Sequence, residues 1–517
     1  MKKTLVVLFV LLSVCAFAFA GGEKEGKAAA GGSHVDRINV GITSWPTAFD
    51  PGVSMGAQTS PWLYEVFDTI LYIQDDGTIS SYVCESWKKI ADDTFEFTLK
   101  PGIKFHNGEA LGSDDAKFTI DRLIHDEANY CNGNIKQLVS TIKEVQIVND
   151  LTFRIITDGP DPILFERLAS PLGAYLVPKD TIEANGQDYL KASPIGTGPY
   201  KFDEIGPETL ELSYFDGYYG ERPLADHLTY RRYTEDAALM VGLVTGEVDI
   251  TPSLDMESAQ AVQSRTADVK IFNEPYSTTH LLRLNATKGA TADKKLRQAL
   301  SLAIDRQLLC DTLWDGYAYV PNGYNFEEFG DYYIPDYPKY EYNVEKAKQL
   351  VAESSYNGEK ISFKLVRGYY KMGNEAAEAI VSMWRDIGLN AQVTFVDNWS
   401  LPGIQGLLTW SNGLRFEDPI GGLWVLWGEG TTLQTHLWHD EGTERFNQLG
   451  HQLLTETNVE KRRAVYREMM EIWDDEVPGI IWYCPDSIYA IRNDLEWSYA
   501  PGKGYNYRAD HLKFKEN

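Results

Sequence analysis

From Val35 onwards the chain alternates between short strand-like runs and longer amphipathic stretches, the pattern of a mixed α/β protein and not of a solenoid. Thr94-Phe95-Glu96-Phe97-Thr98-Leu99 alternates with period two, and Lys100-Pro101-Gly102 follows it, so a strand ending in a hairpin turn is predicted there. A helix is predicted over 113–122, with Ser113 placed to cap its amides. Asp114 and Asp115 fall in its first turn, where the helix dipole favours negative charge. Val145 to Val148 and Leu151 to Ile156 flank Asn149-Asp150 and predict a second hairpin. Ala237, Leu239, Met240, Val241, Leu243 and Val244 recur at helical spacing and stop at Gly246, and a strand at Val248-Asp249-Ile250 comes next. One long helix is predicted over 294–313, and others over 344–354 and 458–474. Pro478 and Gly479 end the last of these ahead of an apolar strand from Ile480 to Tyr483. No internal repeat is visible.

The N-terminus follows a different pattern. Lys2 and Lys3 precede an apolar run from Leu5 through Ala20, which closes on Ala18-Phe19-Ala20. The run is shorter than the roughly 20 residues of a membrane-spanning helix and ends in a small-x-small pattern, so residues 1–20 are expected to be a signal peptide cleaved before Gly21. A competing reading takes Leu12-Ser13-Val14-Cys15 as a lipobox and Cys15 as the site of a lipid anchor; Val14 is bulky for its position there. Residues 21–34 hold Gly, Ala, Lys, Glu and Ser with nothing to bury, and read as a flexible linker. What remains exceeds the length that one core organises, so two or more domains are expected.

A formal charge of −27 repels phosphate backbones and anionic lipid heads, which excludes nucleic acid as a partner and fits a soluble protein. Of the cysteines, Cys84, Cys131, Cys310 and Cys484 would remain after cleavage. They sit in no CxxC or Cys/His spacing, so no metal or other cofactor is expected, and their disulfide state is open. No HExxH, GxSxG or clustered His/Asp/Glu set appears, and the nine histidines are scattered singly, so the chain does not read as an enzyme. His106, in Lys104-Phe105-His106-Asn107-Gly108, reads as a hydrogen-bonding turn residue. The glycines of Gly196-Thr197-Gly198-Pro199-Tyr200 are read as permitting positive φ in a chain reversal. In Ala303-Ile304-Asp305-Arg306 the charged pair closes an apolar helix, with Asp249 as an intramolecular partner.

These blocks, in order, resemble the extracytoplasmic solute-binding proteins of ATP-driven importers, the oligopeptide, dipeptide and nickel-binding family (family 5). The likeness is carried by residues 67–111, by GTGPYKF at 196–202, ALMVGLVTGEVDI at 238–250, LRQALSLAIDRQLL at 296–309 and YNVEKAKQLVAES at 342–354, and by EDP at 417–419 and AVYREMMEIWDDEVPGIIWY at 464–483. It implies a two-lobed periplasmic-binding-protein-like α/β fold with an accessory domain in the larger lobe and a ligand cleft between lobes that closes by a hinge. On that pattern the core domain of lobe one takes 35–57, 190–275 and 495–517, the accessory domain 58–189 and lobe two 276–494. The implied function is capture of a peptide or peptide-like ligand and its delivery to a membrane permease by a periplasmic or extracytoplasmic monomer. Oligosaccharides, opines and chelated nickel are alternative ligands, and a secreted sensory receptor of the same fold is an alternative role.

The resemblance also implies where the ligand sits. Trp45, Trp399, Trp410, Trp482 and Tyr483 fall in loops or strand ends from which the family's cleft is built, and at least two are expected to face it. In peptide-binding relatives an aspartate four residues before the proline of the D-P or E-P pair neutralises the ligand's α-ammonium. Counting back from Pro419 gives Arg415, a cation, which suits a carboxylate instead. A register shifted by a residue or so brings Asn412 or Trp410 to the ligand. The alternative is that Arg415 braces its loop by pairing with Glu417 or Asp418.

Overall fold

Only Pro275, Tyr276 and Ser277 separate the strands Val269–Glu274 and Thr278–Arg283, yet the two belong to different sheets. Gly479–Pro485 and Ser487–Arg492 divide the same way around Asp486. In this computed structural model, which describes residues 34–43, 45–46, 48–54, 61–397, 407–439 and 441–516, these two crossings join a pair of lobes. The expected signal peptide 1–20, the linker up to residue 33 and Trp399 lie outside the described residues.

Lobe one is built on a seven-stranded sheet. Its strands lie side by side as Val269–Glu274, Ser487–Arg492, Ile250–Thr251, Val35–Ile42, Ala225–Arg232, Thr209–Tyr214 and Tyr200–Ile205. Val35–Ile42 runs parallel to both of its neighbours, and its alternate residues Ile38, Val40 and Ile42 feed the core. An accessory unit adds an antiparallel four-stranded sheet, Cys84–Ala91, Thr94–Leu99, Thr152–Thr157 and Ile142–Asn149, backed by the helix Ser113–Ile124. Period-two alternation directs Phe97 and Phe153 inward, where their rings stack at 5.2 Å. Lobe two carries the six-stranded sheet Ala318–Tyr319, Gly479–Pro485, Thr278–Arg283, Leu407–Gly413, Ile361–Val366 and Ala391–Val396.

Several expectations need correcting. The strand Thr94–Leu99 finds its hairpin partner upstream, in Cys84–Ala91, and the Pro101-Gly102 turn leads instead into a separate loop bridged between Lys104 and Ala110. Ser113 does not cap its helix, because its Oγ donates to Asn149 O at 2.6 Å. Asp115 takes the role by accepting the Gly112 N–H at 2.9 Å. The long helix expected over 294–313 is two, Lys294–Leu302 and Arg306–Leu313, since Asp305 accepts the Leu308 N–H and starts a second helix. Arg306 therefore opens a helix and gives its guanidinium to the carbonyls of Ile481 (2.7 Å) and Ser301 (3.1 Å). Asp249 serves a different partner, Arg492, at 2.5 Å.

The glycines of residues 196–199 are needed for closeness and not for positive φ. A Cβ on Gly196 would lie 2.0 Å from Val66 O, and one on Gly198 would lie 2.4 Å from Glu65 O. His106 belongs to the same junction: its Nδ1 accepts the Gly196 N–H, its Nε2 faces Gly198 O at 3.0 Å, and burial pushes its pKa down to about 4. Cys84, Cys131, Cys310 and Cys484 are all buried and all free.

Burial also raises several carboxyls, Glu65 to about 7, Glu166 to about 7, Asp115 to about 6 and Asp474 to about 6. A carboxyl whose folded pKa is raised favours the folded state while protonated and loses that stability as pH rises through 6 to 7. Carboxylates held below their usual range, such as Asp226 and Asp293, withdraw stability only in stronger acid. His106 and His280, pushed down to about 4 by burial, act the opposite way as pH rises to about 6.5, but the four raised carboxyls outweigh them, so stability is expected to fall from about pH 5 to pH 7 and to level off above it. A melting temperature flat across pH 5.5–8 contradicts this.

Candidate functional site

The segment following the strand Leu407–Gly413 brings lobe two against lobe one. Ser170 Oγ, from the accessory unit, donates to Arg415 O at 2.5 Å, across 245 positions of sequence. Lys503 pairs with Glu417 at 2.9 Å and donates to the carbonyls of Gln74 and Asp75. At a second place Lys371 of lobe two pairs with Asp236 of lobe one and lies 3.8 Å from Asp255. The lobes are thus closed on one another, with a lysine latch at each of two places.

Between them, beside the crossing residues Tyr276 and Ser277, lies a cavity of about 40 Å³ lined by Glu166, Ser170, Glu328, Arg415 and Lys503 among others. A single water needs roughly 10–15 Å³ by this measure, so the cavity as closed takes a few waters or the end group of a larger ligand. Arg415 is the unbalanced charge here. Glu417 is committed to Lys503, and Asp418 to Arg462, so neither neighbour braces it. Its Nε has no hydrogen-bond partner, and burial lowers its pKa against the opposing effect of Tyr276. Glu166 faces the same space from the helix Leu164–Leu168, its carboxyl raised by burial and further by Asp418. Glu328 is engaged by the Ser277 hydroxyl.

Of the candidate ligand residues that are described, Arg415 lines this cavity, and so does Glu417, offered as its brace. Trp410 lies in the strand Leu407–Gly413 with the Arg283 guanidinium 4.1 Å from its ring. Asn412 is 2% exposed and spends its amide on the Tyr324 hydroxyl inside lobe two. Trp482 and Tyr483 belong to the core of that lobe, where Trp482 packs on Phe363 at 5.4 Å and Tyr483 on Trp314 at 5.6 Å, so neither offers a face to a ligand. Trp45 is half-buried against the core of lobe one with Arg232 5.7 Å from its ring. Glu166 was missed. Its signal is the pair of charges Glu166-Arg167 inside the otherwise apolar run 163–176. Arg167 is explained by its buried pair with Asp161, which leaves Glu166 as the charge without a structural use.

Among the described residues no group of three or more His, Cys, Asp or Glu side chains is placed to hold a metal, and no helix is long and apolar enough to cross a membrane. Among curated proteins the chain is 25% identical over 432 residues to the oligopeptide-binding protein AppA of Bacillus subtilis, covering 77% of this chain and 76% of that one. It is 23% identical over 364 residues to the glutathione-binding protein GsiB of Salmonella paratyphi A, covering 70% and 69%. Among solved structures, the ABC transporter-associated periplasmic binding protein DppA of Helicobacter pylori, in complex with the peptide STSA, superposes with a TM-score of 0.81 at 17% identity, over 94% of this chain and 99% of that one. The model of bacterial extracellular solute-binding proteins, family 5, matches residues 78–432. Two lobes with two crossings, a cavity at their junction and a family match over most of the chain agree, and the chain belongs to the family 5 extracellular solute-binding proteins.

Proposed function

We propose that the protein is the extracytoplasmic receptor of an ATP-driven importer, one that closes its lobes on a peptide or peptide-like ligand bearing a free carboxylate, hands it to a membrane permease and catalyses no reaction. The observation that carries the ligand chemistry is Arg415, which lines the interlobe cavity, is in no ion pair among the described residues and leaves its Nε without a hydrogen bond. A half-buried cation without a counter-charge favours an anion beside it, and a planar guanidinium offers a carboxylate two parallel hydrogen bonds. The names of the relatives, oligopeptide-binding and glutathione-binding, point to ligands with such a group. The permease is taken to recognise the closed form, so a ligand acts by favouring closure. In this reading the chain is exported, begins at Gly21 after cleavage and works as a monomer.

A thermal-shift screen of di- to hexapeptides, opines and oligosaccharides tests the proposal. A true ligand at about a hundred times its Kd is expected to stabilise the protein by about 2.7 kcal/mol. Silence of every peptide alongside a shift by a glycan would assign the cleft to sugars. With a peptide identified, Arg415→Ala is expected to cost roughly 2 kcal/mol or more in affinity by calorimetry, and Arg415→Asp more, with melting of the free protein unchanged or raised. Unchanged affinity with lowered melting would make Arg415 a structural brace.

A further inference from the structure

We infer that Lys371 and the two carboxyls it meets across the lobes, Asp236 and Asp255, form a proton-released latch: protons and the lobe-two ammonium compete for the same carboxyls, so acid favours open lobes. The latch depends on the lobes parting and closing, and not on what they close on.

Both halves of this contact are built. In lobe one, Asp236 opens the helix Asp236–Thr245, and Asp255 caps the helix Met256–Arg265, accepting the Ser258 N–H at 2.7 Å and its hydroxyl at 3.0 Å. The two helices pack on one another, which brings their N-terminal carboxyls together. Asp236 gives Oδ2 to Lys371, while its Oδ1 is buried without a donor. The same ammonium lies 3.8 Å from Asp255. In lobe two, Lys371 stands in a loop fixed by Tyr370, whose ring packs on His280 at 4.8 Å and whose hydroxyl donates to Ser411 Oγ at 3.3 Å. Met372, the next residue, takes a left-handed backbone at φ +53°, which a side chain keeps only where its surroundings hold it. Lys371 is thus a placed group and not a loose surface lysine.

Two carboxylates in contact repel unless a cation or a proton lies between them. With the lobes together Lys371 supplies the cation. When the lobes part it leaves with lobe two, and a proton on one aspartate, shared with the other, relieves the pair instead. Burial already raises the Asp236 carboxyl, Lys371 opposes that rise, and Asp255 adds to it both by charge and by a hydrogen bond. Loss of Lys371 raises it further, so opening takes up a proton and a falling pH shifts the balance toward the open form. The other cations on the elements packed here do not replace Lys371. Arg37 is paired with Glu211 and Arg492 with Asp249 and Asp494, Arg265 reaches Met240 Sδ, and Lys270 and Arg367 lie on the rings of Phe272 and Phe395. Asp36, Glu235, Glu257, Glu274 and Glu375, on the same elements or beside them, add only negative charge. The inner latch has an acid response of its own, because burial also raises Glu417 against the pull of Lys503.

Single-molecule energy transfer between one fluorophore on each lobe counts closed and open molecules of the full chain at about pH 7.5 and about pH 5, in low salt. The closed-to-open ratio of the native protein is expected to fall with acid by about two- to fivefold more than that of Asp236→Asn or Lys371→Met, the range of a partly exposed ion pair. At the higher pH each variant is expected to be shifted toward open by a similar factor already, and the double variant no further, since either change removes the same contact. Asp255→Asn, which keeps the helix cap, is expected to lose part of the response. Any response left in Lys371→Met belongs to Glu417. Variants that close as the native protein does and respond equally to acid overturn the latch, as does a native ratio that ignores pH. Lys371 is 44% exposed, so its replacement reads the latch even where Asp236→Asn disturbs its helix.

Discussion

Arg462→Met is expected to destabilise the protein by about 3–5 kcal/mol, the cost of stranding a buried charge. Both partners are lost to solvent, Arg462 at 0% and Asp418 at 1% exposure, and the pair closes through Oδ1 at 2.8 Å and Oδ2 at 2.7 Å. Burial already raises the Asp418 carboxyl, and removing its counter-charge pushes it further toward the neutral acid. Asp418 Oδ1 also accepts the Ile420 N–H at 2.9 Å, so a neutral amide in its place retains that contact. The double variant Arg462→Met with Asp418→Asn is therefore expected to recover more than half of the loss. Denaturant titrations of the two variants check this. A loss under 1 kcal/mol for Arg462→Met would show that the pair does not hold the segment carrying Arg415.

A similar loss, about 3–5 kcal/mol, is expected for Arg508→Met in lobe one. Arg508 reaches Asp68 at 2.7 Å, the carbonyls of Tyr64 and Phe67, and the Tyr218 hydroxyl, with the Tyr82 ring 4.2 Å away. Asp68 in turn accepts from the hydroxyls of Thr197 (2.7 Å) and Tyr219 (3.0 Å), so one ion pair ties the C-terminal segment to the accessory unit and to the turn at 196–199. Arg508→Lys is expected to recover only part of the loss, because an ammonium cannot serve a carboxylate and two carbonyls as a planar fork does. Arg508 and Arg462 lie in different lobes with no shared partners, so their costs should add to within about 0.5 kcal/mol. Strong non-additivity would mean that the two lobes unfold as one tightly coupled unit.

Periodicity located most of the elements because burial on one face is a local property. The helix Asp236–Thr245 and its Gly246 stop are both as read, with Gly246 at φ +76°. What periodicity could not supply was pairing and interruption. Thr94–Leu99 has strand partners on both sides, and only the sheet decides which of them forms the hairpin. The break at Ala303–Asp305 was hidden because the apolar spacing carries on through Leu308 and Leu309, although Asp305 is itself a helix-start residue. At the site, Arg415 was legible only against a family pattern. Trp482 and Tyr483 were drawn toward the cleft by their aromatic character, although the apolar strand they occupy already marked them as core. Glu166 showed in the sequence only as half of the charged pair Glu166-Arg167, and that Arg167 is taken by Asp161 while Glu166 is in no ion pair among the described residues is a property of the folded chain.

The strand Ser487–Arg492 lies inside the larger sheet, between Val269–Glu274 and Ile250–Thr251, and not at its edge. While the chain is being made, the seven-stranded sheet therefore has an open slot from the time residue 274 appears until residue 492 does. At about 5–20 residues per second, that interval is on the order of tens of seconds. Lobe two waits on the same stretch, because Gly479–Pro485 lies inside its sheet as well. Neither lobe can be finished from a chain cut short near its end, so an interrupted product has two incomplete sheets with exposed edges.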